Sequence, residues 1–446
     1  MRSVRAHATR AWDVNVVVIA NAIVVVGMWL RHGAVSTLHQ TGGVAIGVGQ
    51  LTALLGTYAV LVQLLLMSRI GWLERWVGFD RLASWHRWGG FLTVVLLSLH
   101  VVFTTVGYAV QAHVSIGYQT GDFLRHYPDV LMATVGFVLL VAVAVTSVRI
   151  ARRRLKRETW HALHLYAYAA VAISFAHQLA TGADFSNDRV ARIWWSALFI
   201  LVAGVILAWR AGWPIVFNAR HRLRVHAVRR EAEGVYSLYI SGRNLHEVKA
   251  EAGQFFLWRF VTTHGWAKAH PYSLSAVPGD KYLRITIKDL GDDSRRAKDL
   301  HAGVRVIAEG PYGTFTAQRR TRRKVALIAG GIGITPIRAL VESLPADPGE
   351  VALLYRVAQR SDVAFAKELK TLVDRRGLAV HLLVGTDIGD DHTDQLGVPA
   401  LRALVPDIAH RDVYVCGPPA MVDAVRRRLH ALHVPRGQVH FERFAY

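Results

Sequence analysis

Two histidines, His86 and His100, stand fourteen residues apart in SWHRWGGFLTVVLLSLHVVF (84–103), a stretch apolar enough to lie in lipid. An ionisable ring in hydrocarbon is costly and is usually retained for a purpose. At about 1.5 Å per residue the two differ by about 21 Å in height, and at 3.6 residues per turn they come within about 40° of one face. A second apolar stretch, WHALHLYAYAAVAISFAHQ (160–178), carries His161, His164 and His177. Two helices that each offer an inner and an outer imidazole can clamp two haems, one above the other. Imidazole is a standard axial ligand of haem iron, and its cost in lipid falls once it binds the metal. Gly89 and Gly90, one turn after His86, would let a flat macrocycle approach the helix backbone. On the second stretch, His164 and His177 are about 220° apart on an ideal helix and His161 and His177 about 160°. The helical wheel therefore leaves His161 and His164 as alternatives, and a tilt or local distortion must make up the difference.

Helices across a bilayer must position these rings. Six apolar runs fill the first half of the 446-residue chain: Val14–Leu30, Val44–Met67, Gly89–Val110, Val130–Val148, His161–Leu179 and Ile193–Trp209. Each approaches the roughly 20 residues a helix needs to span lipid. The first is long, is followed by five more and shows no small-residue cleavage site, so it reads as a span and not a cleaved leader. The expected membrane half is a six-helix transmembrane bundle. Basic residues crowd one side of it: Arg149, Arg152, Arg153, Arg154, Lys156 and Arg157 between the fourth and fifth runs, and Arg69, Arg75, Arg81 and Arg87 between the second and third. The loops around 111–129 and 181–188 are poor in Lys and Arg. The positive-inside rule then places both termini, and the whole second half, in the cytoplasm of a multi-pass cell-membrane protein.

The chain is 52% hydrophobic with a net charge of +21. Much of that charge flanks the membrane, where anionic headgroups attract it, which argues against a nucleic-acid partner. The single cysteine, Cys416, rules out an internal disulfide, a cysteine-based zinc site and a four-cysteine iron–sulfur cluster. Oligomeric state is not legible.

After the boundary AGWPIVFNARHR (211–222) the text turns to short alternating runs: LRVHAVRR, VYSLYISG, GQFFLWRF, HPYSLSA, YLRITIKDL and RVIAEGPYG. These predict a small antiparallel β-barrel. Then KVALIAGGIGITPIRALVESL (324–344) runs from an apolar strand through glycines into a helix with Pro336 in its first turn. Gly330, Gly331 and Gly333 keep side chains away, so a pyrophosphate can approach backbone and helix N-terminus. Alternating strands and helices follow (VALLYRVA, AVHLLVG, DVYVCGPPAM) and predict an α/β domain with a parallel sheet. Arg356 and Arg360, after VALLYR, suit a 2′-phosphate of NADPH, since guanidinium matches phosphate oxygens. The expected domains are 1–213, 214–320 and 321–446.

This combination resembles the ferredoxin–NADP reductase superfamily in its second half. Taken with the membrane half, nearly the whole chain is similar to the ferric reductase and NADPH oxidase family. The resemblance implies an FAD-binding barrel and an NAD(P)-binding α/β domain. In HPYSLSA (270–276) it implies flavin-ring contacts from His270, Pro271 and Tyr272, with the Ser273 hydroxyl near the flavin. In IKDLGDDS (287–294) it implicates Lys288 and Ser294 at the FAD pyrophosphate. It likens GGIGITP (330–336), with Thr335, to the nicotinamide dinucleotide loop. CGPPAM (416–421) would lie beside the nicotinamide, making Cys416, Gly417 and Pro418 active-site neighbours. The C-terminal aromatic over the flavin would be Phe444, with Tyr446 the alternative. The family's haem ligands, fourteen apart on one span and thirteen on another, favour His164 over His161. They imply an inner haem on His86 and His164 and an outer haem on His100 and His177.

The function so implied carries electrons from cytoplasmic NADPH or NADH through FAD and two b-type haems to an acceptor outside. That acceptor is expected to be oxygen, giving superoxide; the alternatives are a ferric-chelate reductase, or a membrane-anchored flavin reductase serving a cytoplasmic partner. The animal oxidases place an arginine on the second span and another histidine one turn past the outer ligand. This chain has Gln50 and Thr104 there, a departure from the dedicated superoxide producers.

Overall fold

The structure, a computed structural model, describes residues 2–31, 34–148, 154–155, 157–182, 185, 188–262, 268–385 and 394–444. The chain forms two compact units. One comprises Ala11–Ile70 and Asp80–Arg210; the other comprises Met1–Arg10, Gly71–Phe79 and Ala211–Tyr446. Most of the basic residues between the fourth and fifth apolar runs lie outside the described residues, Arg149, Arg152, Arg153 and Lys156 among them.

The first unit is helical: α1 (Arg2–Arg31), α2 (Gly43–Leu66), α3 (Phe79–Ala112), α4 (Val130–Ser147), α5 (Arg157–Ile173), α6 (Phe175–Thr181) and α7 (Arg189–Leu207). Among the described residues five helices are long and apolar enough to cross a bilayer: Trp12–Arg31, Gly43–Leu66, Arg81–Ala112, Val130–Ser147 and Arg189–His221. Large apolar side chains such as Phe91, Val138 and Ile200 stand exposed on them, a surface suited to lipid and not to water.

The expected fifth span does not run unbroken. His161–Leu179 is divided between α5 and α6, with Ser174 interrupting the helix. The Ser174 hydroxyl donates to the Ala170 carbonyl at 2.8 Å, a back-bond that bends helices. Helix α4 packs directly on the break: a Cβ at Gly136 would fall 2.1 Å from Ser174 Oγ and 2.8 Å from Ala170 O. The interruption lies between His164 and His177, where an ideal helix would turn the two rings to different faces.

Helices α2 and α3 meet along a stripe of small residues. Gly42, Gly49 and Gly56 recur every seven positions, and a Cβ on them would fall 2.3 Å from Gly107 O, 2.4 Å from Thr104 Oγ1 and 2.8 Å from Leu97 Cδ2. Such spacing lets membrane helices approach closely. Gln63, seven residues further, closes the seam against Gly89.

In the second unit six strands follow the boundary: β1 (Arg224–Ala232), β2 (Val235–Ser241), β3 (Phe255–Phe260), β4 (His270–Ser273), β5 (Leu283–Lys288) and β6 (Val306–Tyr312). They make two antiparallel sheets ordered β1-β2-β5 and β4-β3-β6. The edges of the two sheets are joined in turn: β1 meets the segment entering β6 at Arg224–Arg305, with the Val225 N–H donating to the Val304 carbonyl at 2.9 Å and the Val306 N–H to the Leu223 carbonyl at 2.9 Å, and the chain leaving β4 meets β5 at Leu274–Ile285. Leu238, Ile240, Phe256, Trp258, Leu283 and Ile285 fill the space between.

Strands β7 (Val325–Gly330), β8 (Val351–Val357), β9 (Ala379–Val384), β10 (Asp412–Gly417) and β11 (Val439–Arg443) form one parallel sheet in the order β11-β10-β7-β8-β9. Every residue of β7, β8 and β10 is buried, as expected for strands covered on both faces. Helix α8 (Ile334–Ser343) follows β7 after a single turn, Gly331–Gly333.

A buried ionic knot ties the two parts of this unit. Arg284 of β5 donates to both oxygens of Glu368 at 2.7 and 3.1 Å and to the Ser275 carbonyl at 2.7 Å. Arg338 of α8 reaches Glu368 at 2.8 Å. Burial raises the Glu368 carboxyl, but the two guanidinium groups outweigh it and hold the group below the ordinary carboxylate range. Glu368→Gln should destabilise the module by about 2 kcal/mol, the scale of a charge-assisted hydrogen bond, read by thermal unfolding of the detergent-solubilised chain. The sign with pH follows from the lowered value. The contribution is present above the unfolded carboxylate pKa of about 4.3 and is lost as pH falls through the lower folded one. The difference between wild type and variant should therefore shrink in acid.

Candidate functional site

Helix α3 carries His86 and His100, α5 carries His164, and α6 carries His177. The His86 and His164 rings lie with centroids 5.9 Å apart at an interplanar angle of 61°. Two imidazoles sharing one metal, each at a bond of about 2 Å, hold their ring centres about 6 Å apart, so one iron fits between this pair. His161 is exposed. His177 lies close enough to His100 for their charges to interact. The break at Ser174 separates α5 from α6, and α6 is held by Trp195, whose indole N–H donates to Gln178 Oε1 at 2.8 Å.

The ring nitrogens are not idle. His100 Nδ1 lies 3.0 Å from the Gly49 carbonyl, which can only accept. The proton is therefore on Nδ1, and the Nε2 lone pair is left for a metal. Thr104 Oγ1 stands 3.1 Å from the same nitrogen. His177 Nδ1 is 2.9 Å from Thr181 Oγ1, and His164 Nδ1 is 3.3 Å from Ser147 Oγ. The Gln63 side-chain amide lies 2.7 Å from His86 Nδ1. Gly89 thus accommodates Gln63, since a Cβ there would fall 2.0 Å from that amide; the expected clearance for a macrocycle at this glycine is filled by a side chain. Among the described residues no cluster of three or more His, Cys, Asp or Glu could hold a bare ion. Histidines in twos suit a metal that brings its own equatorial ligand, as haem iron does.

In the second unit the glycine loop and the CGPPAM loop follow β7 and β10, adjacent strands from which the chain winds in opposite directions. That topological switch point, at the carboxyl ends of the strands, is where open α/β sheets bind ligands. A Cβ on Gly330 would fall 2.4 Å from Met421 Sδ, and one on Gly333 2.3 Å from the Cys416 carbonyl oxygen, so these glycines let the two loops pack. Gly331 differs. Its φ is +53° and nothing lies within 4 Å of its absent Cβ, leaving its backbone open to a ligand. Thr335 is buried, its hydroxyl donating to the Ile332 carbonyl at 3.0 Å.

Cys416 is fully buried, and that burial, with the Glu442 carboxylate beside it, pushes its thiol well up. It is a neutral group at the end of β10, not a thiolate. Pro418 and Gly417 continue the loop. Phe444 packs half-buried against the same core, its N–H donating to the Gly417 carbonyl at 3.2 Å. Tyr446, the alternative aromatic, lies outside the described residues.

Arg356 departs from its expected role. It is buried, 3.6 Å from the buried Asp394, and donates to the Gly385 carbonyl at 3.5 Å. A guanidinium committed to an interior carboxylate is not a surface phosphate ligand. Arg360, exposed just past β8, stays available.

In β4, His270 and Tyr272 are half-buried, Pro271 is exposed, and Ser273, at the strand's end, is buried. The His270 and Tyr272 rings are near parallel, 15° apart, and line a hollow with Phe260, Ile287, Arg296 and Leu300. Arg296 escaped the sequence reading; its signal is the basic pair that follows DDS. Among the described residues the buried Ser273 Oγ has no hydrogen-bond partner, which suits it to a bound group. A flavin ring nitrogen would satisfy it, so the residues present fit FAD. Ser273→Ala should slow flavin reduction by NADPH about tenfold, the equivalent of one hydrogen bond, in anaerobic stopped-flow traces. Lys288 pairs with Asp362 at 3.5 Å. Ser294 closes its own turn, accepting from the Leu290 N–H at 2.8 Å and donating to the Gly291 carbonyl at 2.9 Å.

Residues 52–175 match the family described as ferric reductase like transmembrane component, 222–316 an FAD-binding domain and 327–427 an oxidoreductase NAD-binding domain. The chain is 28% identical over 224 residues to the NADH oxidoreductase HCR of Escherichia coli (strain K12), covering 48% of this chain and 66% of that protein. It is 32% identical over 203 residues to the ferredoxin reductase component of 3-ketosteroid-9-alpha-monooxygenase from Mycolicibacterium smegmatis, covering 43% and 55%. The chain thus spans about half to two thirds of the length of these relatives. Among solved structures, the flavohem-like FAD/NAD-binding domain of nitric oxide dioxygenase from Vibrio cholerae aligns with a TM-score of 0.42 and 23% identity, over 50% of this chain and 98% of that one.

Proposed function

By its matched membrane, FAD and NAD domains, the chain belongs to the ferric reductase and NADPH oxidase family, and on that premise we propose that it carries electrons across a cell membrane from NAD(P)H to an acceptor on the far side. When bound, FAD takes hydride from the nicotinamide and two b-type haems relay single electrons outward. The observation that carries this reading is the His86–His164 pair, 5.9 Å apart in an apolar bundle, on a chain with an open dinucleotide turn.

Most of the expected site residues have a place in it. Gly331 admits the pyrophosphate to the backbone, while Gly330, Gly333 and Thr335 shape the turn. Cys416, Gly417 and Pro418 would flank the nicotinamide, and Phe444 would cover the flavin ring. Ser273 donates to the flavin, His270 and Tyr272 pack on it, and Lys288, Ser294 and Arg296 serve its phosphates. Arg360 is the candidate for the 2′-phosphate of NADPH. His86 and His164 hold the inner haem, His100 and His177 the outer. Held by two histidines each, the haems would leave no open iron site, and the acceptor would be reduced without binding iron. Segments 1–213, 214–320 and 321–446 are the functional domains, with both termini and the nucleotide domains in the cytoplasm.

Oxygen, giving superoxide, is the proposed acceptor. A ferric chelate is the second reading, favoured by the description of the family matched over 52–175 and by Thr104, whose hydroxyl turns to the His100 ring where the oxidases place a histidine. The test is to add FAD and NADPH to the detergent-purified protein anaerobically and follow the haem spectrum. Oxygen, with and without superoxide dismutase, and a ferric chelate are then supplied separately. Haem reduction by NADPH supports the reading; unchanged haem bands despite NADPH oxidation would refute it.

A further inference from the structure

We propose that Ser147 and Thr181 are positioning residues that fix the proton of their haem histidines on Nδ1 and each tune one haem. The inference rests on the haem assignment above. Its basis is a count of hydrogens. Ser147 Oγ lies 2.7 Å from the Val143 carbonyl, which can only accept, so the hydroxyl hydrogen goes there. The oxygen is left to accept, and it faces two ring nitrogens: Trp160 Nε1–H at 3.3 Å and His164 Nδ1 at 3.3 Å. Thr181 repeats the arrangement. Its hydroxyl donates to the His177 carbonyl at 2.9 Å, leaving its lone pair for His177 Nδ1 at 2.9 Å. At His100 the Gly49 carbonyl performs the same office at 3.0 Å.

Three histidines on three helices thus present Nδ1–H to an acceptor oxygen and turn an unprotonated Nε2 toward the space a metal would fill. A ring that donates from Nδ1 becomes a more basic ligand at Nε2. More basic ligands favour ferric over ferrous iron, so each acceptor lowers the potential of the haem its histidine holds. The supports are also separable: Ser147 ends α4 and acts on His164, whereas Thr181 ends α6 and acts on His177.

The test is a potentiometric titration of the haem bands in the purified full-length chain, with haem content measured alongside. Two components are expected in the wild type. Ser147→Ala should raise one component and leave the other in place; Thr181→Val should raise the other alone. Thr181→Ser, which keeps the hydroxyl, should return the potential to the wild-type value, which a merely structural role for the side chain would not require. Full haem content with neither component moved, or both moved together by either variant, overturns this inference and leaves the haem assignment standing. Absence of haem from the wild-type chain overturns both.

Discussion

His100→Leu should give a protein that keeps one haem per chain, is still reduced by NADPH at its flavin and inner haem, and delivers electrons to the far side at least about 100-fold more slowly. Loss of a supporting contact alone lowers metal affinity by about 10- to 100-fold, so loss of the ligand itself should exceed that. The variant should fold. Leucine replaces an imidazole in an apolar helix, and among the described residues the Gly49 carbonyl and the Thr104 hydroxyl lose a hydrogen-bond partner. The inner pair is a contact between His86 and His164 themselves, their ring centroids 5.9 Å apart. Haem content by the pyridine haemochrome assay and far-side acceptor reduction are the two readouts. Wild-type delivery to the far side from a one-haem protein would remove His100 from the ligand set.

The second large effect is expected at the dinucleotide turn. Gly331→Trp should lower kcat/KM for NADPH by at least about 100-fold while dithionite still reduces both haems. The site is open: no atom stands within 4 Å of where a Cβ would be, so the indole projects into the space a dinucleotide needs and not into the protein. The positive φ of +53° disfavours a side chain by about 1–2 kcal/mol, which a domain with so extensive a buried sheet can absorb. Gly333 would be the wrong choice for this experiment, because its Cβ would strike the Cys416 carbonyl and confuse packing with binding. Steady-state kinetics and dithionite titration separate the outcomes: normal NADPH kinetics in the variant would exclude this turn as the nucleotide site.

Much of this arrangement is legible in the sequence because it depends on local rules. Histidine in an apolar run, glycine between a strand and a helix, and a run of buried β-branched residues each carry meaning by themselves. What escaped depends on which elements meet. At the break, the absence of a side chain at Gly136 lets a different helix approach Ser174, a packing that no pattern within 161–179 announces. Arg356 reads as a surface cation until β8 is found to be buried along its whole length, with Asp394 beside it. Gly89 reads as clearance for a cofactor, yet Gln63 from the neighbouring helix occupies it. The threonines were within reach. His100–Thr104 and His177–Thr181 are both one helical turn apart, the spacing at which a hydroxyl meets a ring on the same face.

The most direct test of the central claim places the protein in sealed vesicles with its nucleotide domains outward and a membrane-impermeant ferric chelate trapped inside. Adding NADPH to the outside should reduce the trapped chelate, at a rate that collapses in His100→Leu and His177→Leu vesicles. Oxidation of NADPH with no reduction of the enclosed iron, in vesicles whose wild-type protein carries its full haem, would contradict it.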